Sequence, residues 1–305
     1  AAAGHRLYDA VRGATKFLVP QGTDAEATQS AGLTSFDSAG FSLGSNFDHN
    51  NSSSTFVGWA WDAGSSTASN TDGSITASVR ANQTAGFSIV AYSGSGGTST
   101  VGHGLNVKPS LVIIKSRSGS SHFWIVGHSA LSSNEVLYLN TDIAAEDITS
   151  ENHGGVDLVN STSSTVKLLA GQQSADSVNR SGENFIAYCF APVAGYSAFG
   201  SYEGNGSTDG PFVHLGFKPS WIIIKNSSAT ENWYILDTTR DESNVSGTQL
   251  KANTSDAEDS FSLLDLLSNG FKIRNSNASY NTNGSTYVWG AFAENPFQAN
   301  GGLAR

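Results

Sequence analysis

The sequence predicts an all-β protein of tandem sandwich or jelly-roll-like units with short connecting helices, and three observations predict it. Apolar residues gather in short runs such as Leu111-Val112-Ile113-Ile114 and Phe185-Ile186-Ala187-Tyr188-Cys189-Phe190. These are too short for a core helix and suit strands buried on both faces. Between the runs lie clusters rich in Gly, Asn and Ser, residues that accept the left-handed backbone of tight turns. The third observation is a repeat.

Val107-Lys108-Pro109-Ser110-Leu111-Val112-Ile113-Ile114-Lys115 reads onto Phe217-Lys218-Pro219-Ser220-Trp221-Ile222-Ile223-Ile224-Lys225, a shift of 110 positions. The same shift carries Tyr92, Gly94 and Gly96 onto Tyr202, Gly204 and Gly206, and Phe123-Trp124-Ile125 onto Trp233-Tyr234-Ile235. A partial third copy opens the chain. Phe56-Val57-Gly58-Trp59-Ala60-Trp61 matches Phe185 to Phe190 and Tyr287 to Phe292, Asp24-Ala25-Glu26 matches Asp256-Ala257-Glu258, and Gly40-Phe41 matches Gly270-Phe271.

The predicted organisation is therefore a partial first repeat over 1–64 and a linker over 65–85. A second repeat follows over 86–194, a third over 195–298 and a tail over 299–305. The first repeat holds only the second half of a unit, and the chain has no methionine, so it reads as a fragment or a processed product. Within the units, the Lys-Pro-Ser runs and the aromatic runs are strands. Ser255-Asp256-Ala257-Glu258-Asp259 carries a helix-capping pattern and is expected to open a short connecting helix through Leu263, Leu264 and Leu267.

Composition excludes several classes. The net charge is −10 with only 14% charged residues and no basic stripe, so nucleic acid is not an expected partner. No apolar run approaches the roughly 20 residues of a membrane span, so membrane insertion is not expected. Cys189 is the only cysteine, so no intrachain disulfide forms and packing must hold the fold.

A further set of strings carries a resemblance: Asn70-Thr71-Asp72-Gly73-Ser74-Ile75, Thr84-Ala85-Gly86-Phe87-Ser88-Ile89-Val90, Gly102-His103-Gly104-Leu105, Gly195-Tyr196-Ser197 and Ala291-Phe292-Ala293-Glu294-Asn295-Pro296-Phe297. Over about residues 12–296 the chain resembles the C-terminal part of tail-fibre-like virion proteins from marine phages. That resemblance implies a virion-surface or extracellular location, and a structural and adhesive role without catalysis. Its implied partners are further copies of itself, other virion proteins and a host-surface glycan. It supplies no catalytic residues.

The chemistry-bearing candidates are weighed on their own terms. Gly40-Phe41-Ser42-Leu43-Gly44 matches the serine-hydrolase elbow formally, but loop formers follow where that motif needs a helix. Glu203 with Asp209, or Asp237 with Asp241 and Glu242, are the nearest carboxylate pairs for a glycan depolymerase, the alternative function in the fibre setting. A capsid-decorating or secreted adhesin is the other alternative. Asp237-Thr238-Thr239-Arg240 recurs as Asp9-Ala10-Val11-Arg12, which reads as an Asp-to-Arg tie across a turn. His103 and His214 recur before the Lys-Pro-Ser strands and are expected to bond turn carbonyls. His122, His128 and His153 lack metal-ligand spacing, so no metal or other cofactor is expected; calcium at the Asp72-Gly73 and Asp209-Gly210 turns is the alternative kept. Binding is sought in the loop before each final strand, at Phe47, Asp48 and His49 in the first repeat and Tyr280 and Asn281 in the third. There a ring stands beside amide or acidic groups able to stack on a sugar and bond its hydroxyls, and the alternative, which is favoured, is that the same rings pack on a neighbouring copy.

Overall fold

The computed structural model describes residues 4–119, 121–148, 153–172 and 176–294. The protein is all-β, and the two helices among the described residues, α1 (Phe47–Asn50) and α2 (Ala278–Asn281), are single turns capped by Asn46 and Asn277. The expected tail over 299–305 lies outside the described residues.

The first unit is a half. It holds a three-stranded sheet of β1 (Leu7–Tyr8), β2 (Lys16–Leu18) and β3 (Ala27–Thr28), then a hairpin of β4 (Leu33–Asp37) and β5 (Gly40–Leu43), then α1.

The second unit runs through β6 (Thr67–Asn70), β7 (Ala77–Asn82), β8 (Phe87–Ser93), β9 (Ser99–Gly102), β10 (Leu111–Ser116), β11 (Ile125–His128), β12 (Glu135–Tyr138), β13 (Glu146–Asp147), β14 (Gly155–Asp157), β15 (Thr165–Leu169) and β16 (Asn184–Phe190). Eight of these form a sheet in the order β13-β12-β11-β10-β16-β8-β7-β6, and β14-β15-β9 form a second sheet across the core.

The third unit repeats the plan with β17 (Ser197–Glu203), β18 (Phe212–His214), β19 (Pro219–Asn226), β20 (Trp233–Asp237), β21 (Ser246–Lys251), β22 (Asp259–Leu267), β23 (Gly270–Ile273) and β24 (Thr286–Ala293). Here β22 continues from one layer into the other, so all eight strands join one sheet, β17-β24-β19-β20-β21-β22-β23-β18, which curls almost into a barrel.

The unbroken apolar runs follow from burial on both faces. In β16, Phe185, Ala187 and Cys189 face the second unit's interior, while Ile186, Tyr188 and Phe190 face a core shared between units. In β24, Tyr287, Trp289 and Ala291 face the third unit's interior, and Val288 and Phe292 face the shared core. Both strands are central. β16 lies between β8 and β10, and β24 lies between β17 and β19. The two Lys-Pro-Ser strands therefore occupy like positions.

Three expectations are corrected. Residues 65–85 are not a free linker: β6 and β7 extend the second unit's sheet beyond β8. The segment read as a helix from Ser255 is extended and enters β22, because Leu263, Leu264 and Leu266 are buried by pairing with β21 and β23; that burial outweighs the local capping signal. The tryptophan register also shifts by one. Ile125 lies opposite Ile114 and Tyr234 opposite Ile224, so Trp124 corresponds to Trp233. Each donates its backbone N–H to an asparagine side chain, Asn140 at 2.9 Å and Asn253 at 3.0 Å.

Candidate interaction surface

The three units close into a ring. Trp124 of the second unit donates its indole N–H to Val19 O of the first at 3.0 Å, and Trp233 of the third donates to Tyr138 O of the second at 2.8 Å. Strand register places His5 where those tryptophans stand, and its Nε2 donates to Lys251 O of the third unit at 2.9 Å. The three accepting carbonyls are themselves equivalent, each directly after the leucine that lies in the shared register of β2, β12 and β21.

A second set of bonds follows the same cycle. Tyr188 donates its hydroxyl to Asp9 at 2.7 Å, His128 Nε2 donates to Trp289 O at 3.1 Å, and Trp59 Nε1 donates to Asp237 at 3.3 Å. On the axis the equivalent residues Trp61, Phe190 and Phe292 meet edge to face, their centroids 5.6 to 6.2 Å apart.

The recurring aspartates are tied as the sequence suggested. Asp9 takes the backbone N–H of Arg12 and its guanidinium, which also reaches Leu7 O. Asp237 holds Arg240 in the same way, and that guanidinium reaches Ile235 O. Two recurring lysines join neighbours: the buried Lys115 bonds Thr23 O and the buried Lys225 bonds Asp142 O, each at 3.2 Å. Burial pushes both ammonium groups down to about 8.

The expected binding residues separate into two groups. Tyr280 and Asn281 are wholly buried, and this corrects their reading as ligand contacts. Tyr280 O accepts the Tyr202 hydroxyl at 2.7 Å, and the Asn281 amide bonds Asn205, Ser207 O and Asn275 O. Val178 and Asn179 do the same for Tyr92 and Ser95 in the second unit. The pair anchors the Tyr-x-Gly-x-Gly loop. Its first glycine is fixed by crowding, since a Cβ on Gly94 or Gly204 would lie 2.1 or 2.2 Å from a backbone carbonyl oxygen.

Phe47, Asp48 and His49 stand at the corresponding corner of the first unit, where the surface is open. Phe47 is exposed, Asp48 pairs with Arg6 at 3.2 Å, and His49 bonds Tyr8 and Asn46. Around them Phe36, Phe41 and Leu43 are 44, 44 and 39% exposed. Their equivalents Leu266, Phe271 and Ile273 are 7, 0 and 0% exposed, because the third unit covers them with its own first half.

The catalytic candidates are placed as follows. Ser42 lies on the exposed β5, bonded to Asp37, and β5 leads to no buried helix. Asp209 pairs with Lys272 at 2.8 Å, and Asp241 accepts the backbone N–H groups of Gly247 and Thr248. His103 is buried and reaches Thr162 O, whereas His214 is exposed, so the expected equivalence of those histidines fails. One arrangement was not legible beforehand: Ser177, His122 and Glu183 form a chain of contacts at 3.5 and 3.2 Å. Ser177 and His122 are buried. Among the described residues no cluster of His, Cys, Asp and Glu is arranged to hold a metal ion, and no helix is long and apolar enough to cross a membrane.

No curated protein and no solved structure matches the chain. A family model described as a domain of unknown function, DUF7483, matches residues 1–296. The match spans nearly the whole chain, which therefore belongs to the DUF7483 family.

Proposed function

We propose that this chain is a non-enzymatic structural and attachment module of a phage virion surface, of the tail-fibre kind. In this reading it works outside the cell as a homo-oligomer, beside other virion proteins, and contacts a host-surface glycan. The observation that carries the non-catalytic part is the use made of the recurring polar side chains. His5, Trp124 and Trp233, and likewise Asp9, His128 and Asp237, are spent on bonds between units. Groups fixed in this way hold a scaffold rigid and are not free to exchange protons with a substrate. The fibre assignment rests on the resemblance of the ordered motifs between about residues 12 and 296.

Weak single contacts serve such a protein well, because linked copies raise avidity by roughly 10² to 10⁴ without new contacts. Immunogold labelling of native particles tests the location. Label along the tail is the expected result, and label confined to the capsid, or absent from virions, contradicts it. Incubation with host envelope polysaccharide tests the chemistry. No release of reducing ends is expected, and steady release abolished by Glu203→Gln would establish the depolymerase instead.

A further inference from the structure

We propose that the open face of the first unit, formed by Phe36, Phe41, Leu43 and Phe56, is the receiving half of an incomplete unit. Its occupant is a strand segment of the type that this chain displays at residues 86–118 and 196–228. That type reads Tyr-x-Gly-x-Gly, then Lys-Pro-Ser, four apolar residues and a buried lysine.

Three sets of groups on the first and third units await the same segment. The first is the run Phe56 to Trp61, which pairs with no strand among the described residues, although β16 and β24 are each bonded on both sides. Its exposure alternates. Val57, Trp59 and Trp61 are half-buried, and the two tryptophans pack against the shared core, as Tyr188 and Phe190 do in β16. Phe56, Gly58 and Ala60 are exposed, on the side where Phe185, Ala187 and Cys189 meet the second unit's interior. A run with one side covered and the other bare is a template for pairing.

The second set is the corner at α1. Asn50 Nδ2 donates to Gly44 O at 3.0 Å, as Asn281 donates to Asn275 O. Asn281 and Asn179 also accept a backbone N–H from the Gly-x-Gly loop of their own first half, from Asn205 and Ser95. His49 occupies the place of Tyr280 and Val178, whose carbonyls accept the loop tyrosine. A tyrosine hydroxyl for His49 O and a backbone N–H for Asn50 are thus specified.

The third set lies across the ring, on the third unit. The loop Ser255 to Glu258 is exposed, whereas the matching loops of the first and second units receive Lys115 and Lys225 and bond the backbone at Arg117 and Ser227. One segment would satisfy all three sets. The two such segments in the chain are held by their own final strands over six or seven consecutive residues, so a second copy could give one up only by opening its own unit.

The chain's own geometry supplies the test. Residues 86–118 joined directly ahead of Ala1 leave six residues between Ser116 and His5, as many as separate Asn226 from Trp233. Amide hydrogen exchange is compared between the unfused chain, this fusion, and a fusion whose added segment carries Val112→Asp and Ile114→Asp. Protection of the amides of residues 57–61 is expected to rise about 100-fold in the first fusion only, with loss of binding of a hydrophobic dye. Amides of β16 and β24 report in each sample that the body of the fold is intact. Equal exchange at 57–61 in both fusions overturns the proposal. So does protection of those amides in the unfused chain that tracks its dimerisation by sedimentation, because the occupant is then a second copy. Neither outcome depends on whether the chain belongs to a virion.

Discussion

Trp59 donates its indole N–H to Asp237 at 3.3 Å, across 178 positions of sequence, and this bond joins the first unit to the third. Asp237 also holds Arg240, whose guanidinium stands 5.8 Å from the Trp59 ring. One carboxylate thereby fixes a turn in its own unit and the run Phe56 to Trp61 of another. Asp9 does the same with Arg12 and Tyr188.

Removing either carboxylate takes away the guanidinium's nearest anion and leaves Arg12 only Glu26 and Arg240 only Glu258, each at 3.5 Å, a change that costs several kcal/mol where the cation is buried. Arg12 has no exposed side-chain surface and Arg240 has 10%. Asp9→Ala is therefore expected to cost about 3–5 kcal/mol and Asp237→Ala less, about 2–3 kcal/mol. Urea unfolding of the two variants checks the order; an equal or reversed order contradicts it.

Equivalent asparagines provide an internal comparison. Asn281 is wholly buried, its Oδ1 accepts the N–H of Asn205 and its Nδ2 lies within bonding distance of Asn205 Oδ1, Ser207 O and Asn275 O, so its loss removes the partner of the Asn205 N–H and weakens the bonding of this corner. Asn281→Ala is expected to cost about 2–4 kcal/mol, while Asn50→Ala, on an exposed corner, costs under about 1 kcal/mol. Thermal unfolding of both variants measures the difference.

Acid should loosen the ring at His128. Burial lowers its pKa from 6.5 to about 4, outweighing the opposing bond to Trp289 O. The neutral ring donates from Nε2 to that carbonyl and accepts Ala130 N–H at Nδ1, a bond that protonation abolishes. With the folded pKa below the unfolded one, the unfolded state binds more protons between those values. Stability from this group is complete above about pH 6.5 and falls by about 3 kcal/mol as pH drops toward 4. His128→Gln retains a donor without the titration, so its stability is expected to fall less over that window. Chemical denaturation at each pH gives the comparison.

Cys189 should resist thiol reagents. Burial raises its pKa to about 12, and the side chain sits in the second unit's core. Labelling in native buffer is expected to proceed only at the rate of opening, and to become fast in denaturant. Rapid native labelling would place β16 outside the core.

Much of the fold was legible because a strand buried on both faces writes an unbroken apolar run, as Leu111 to Ile114 and Phe185 to Phe190 do. The strand Thr67–Asn70 was not legible, since an exposed edge strand of Thr, Ala, Ser and Asn buries too little to leave a pattern. The stretch after Ser255 carried a genuine capping signal, but pairing with β21 and β23 decides its structure.

The site was legible only in part. Asp9 with Arg12 and Asp237 with Arg240 announced themselves by spacing within one turn. The ring did not, because its equivalent positions carry different residues: Trp124, Trp233 and His5 all donate to matching carbonyls. Tyr280 and His49 likewise share a place in the repeat, yet one is core and the other half-buried beside an open face. Periodicity identifies which residues correspond, and only packing shows which of them are covered.

Calorimetric unfolding of the intact chain tests most directly whether three interlocked units behave as one body. A shared core and a closed cycle of bonds predict a single transition, with the calorimetric and van't Hoff enthalpies equal, that Trp59→Phe and His128→Ala each shift as a whole. Two separate transitions, only one of which responds to either substitution, would contradict it.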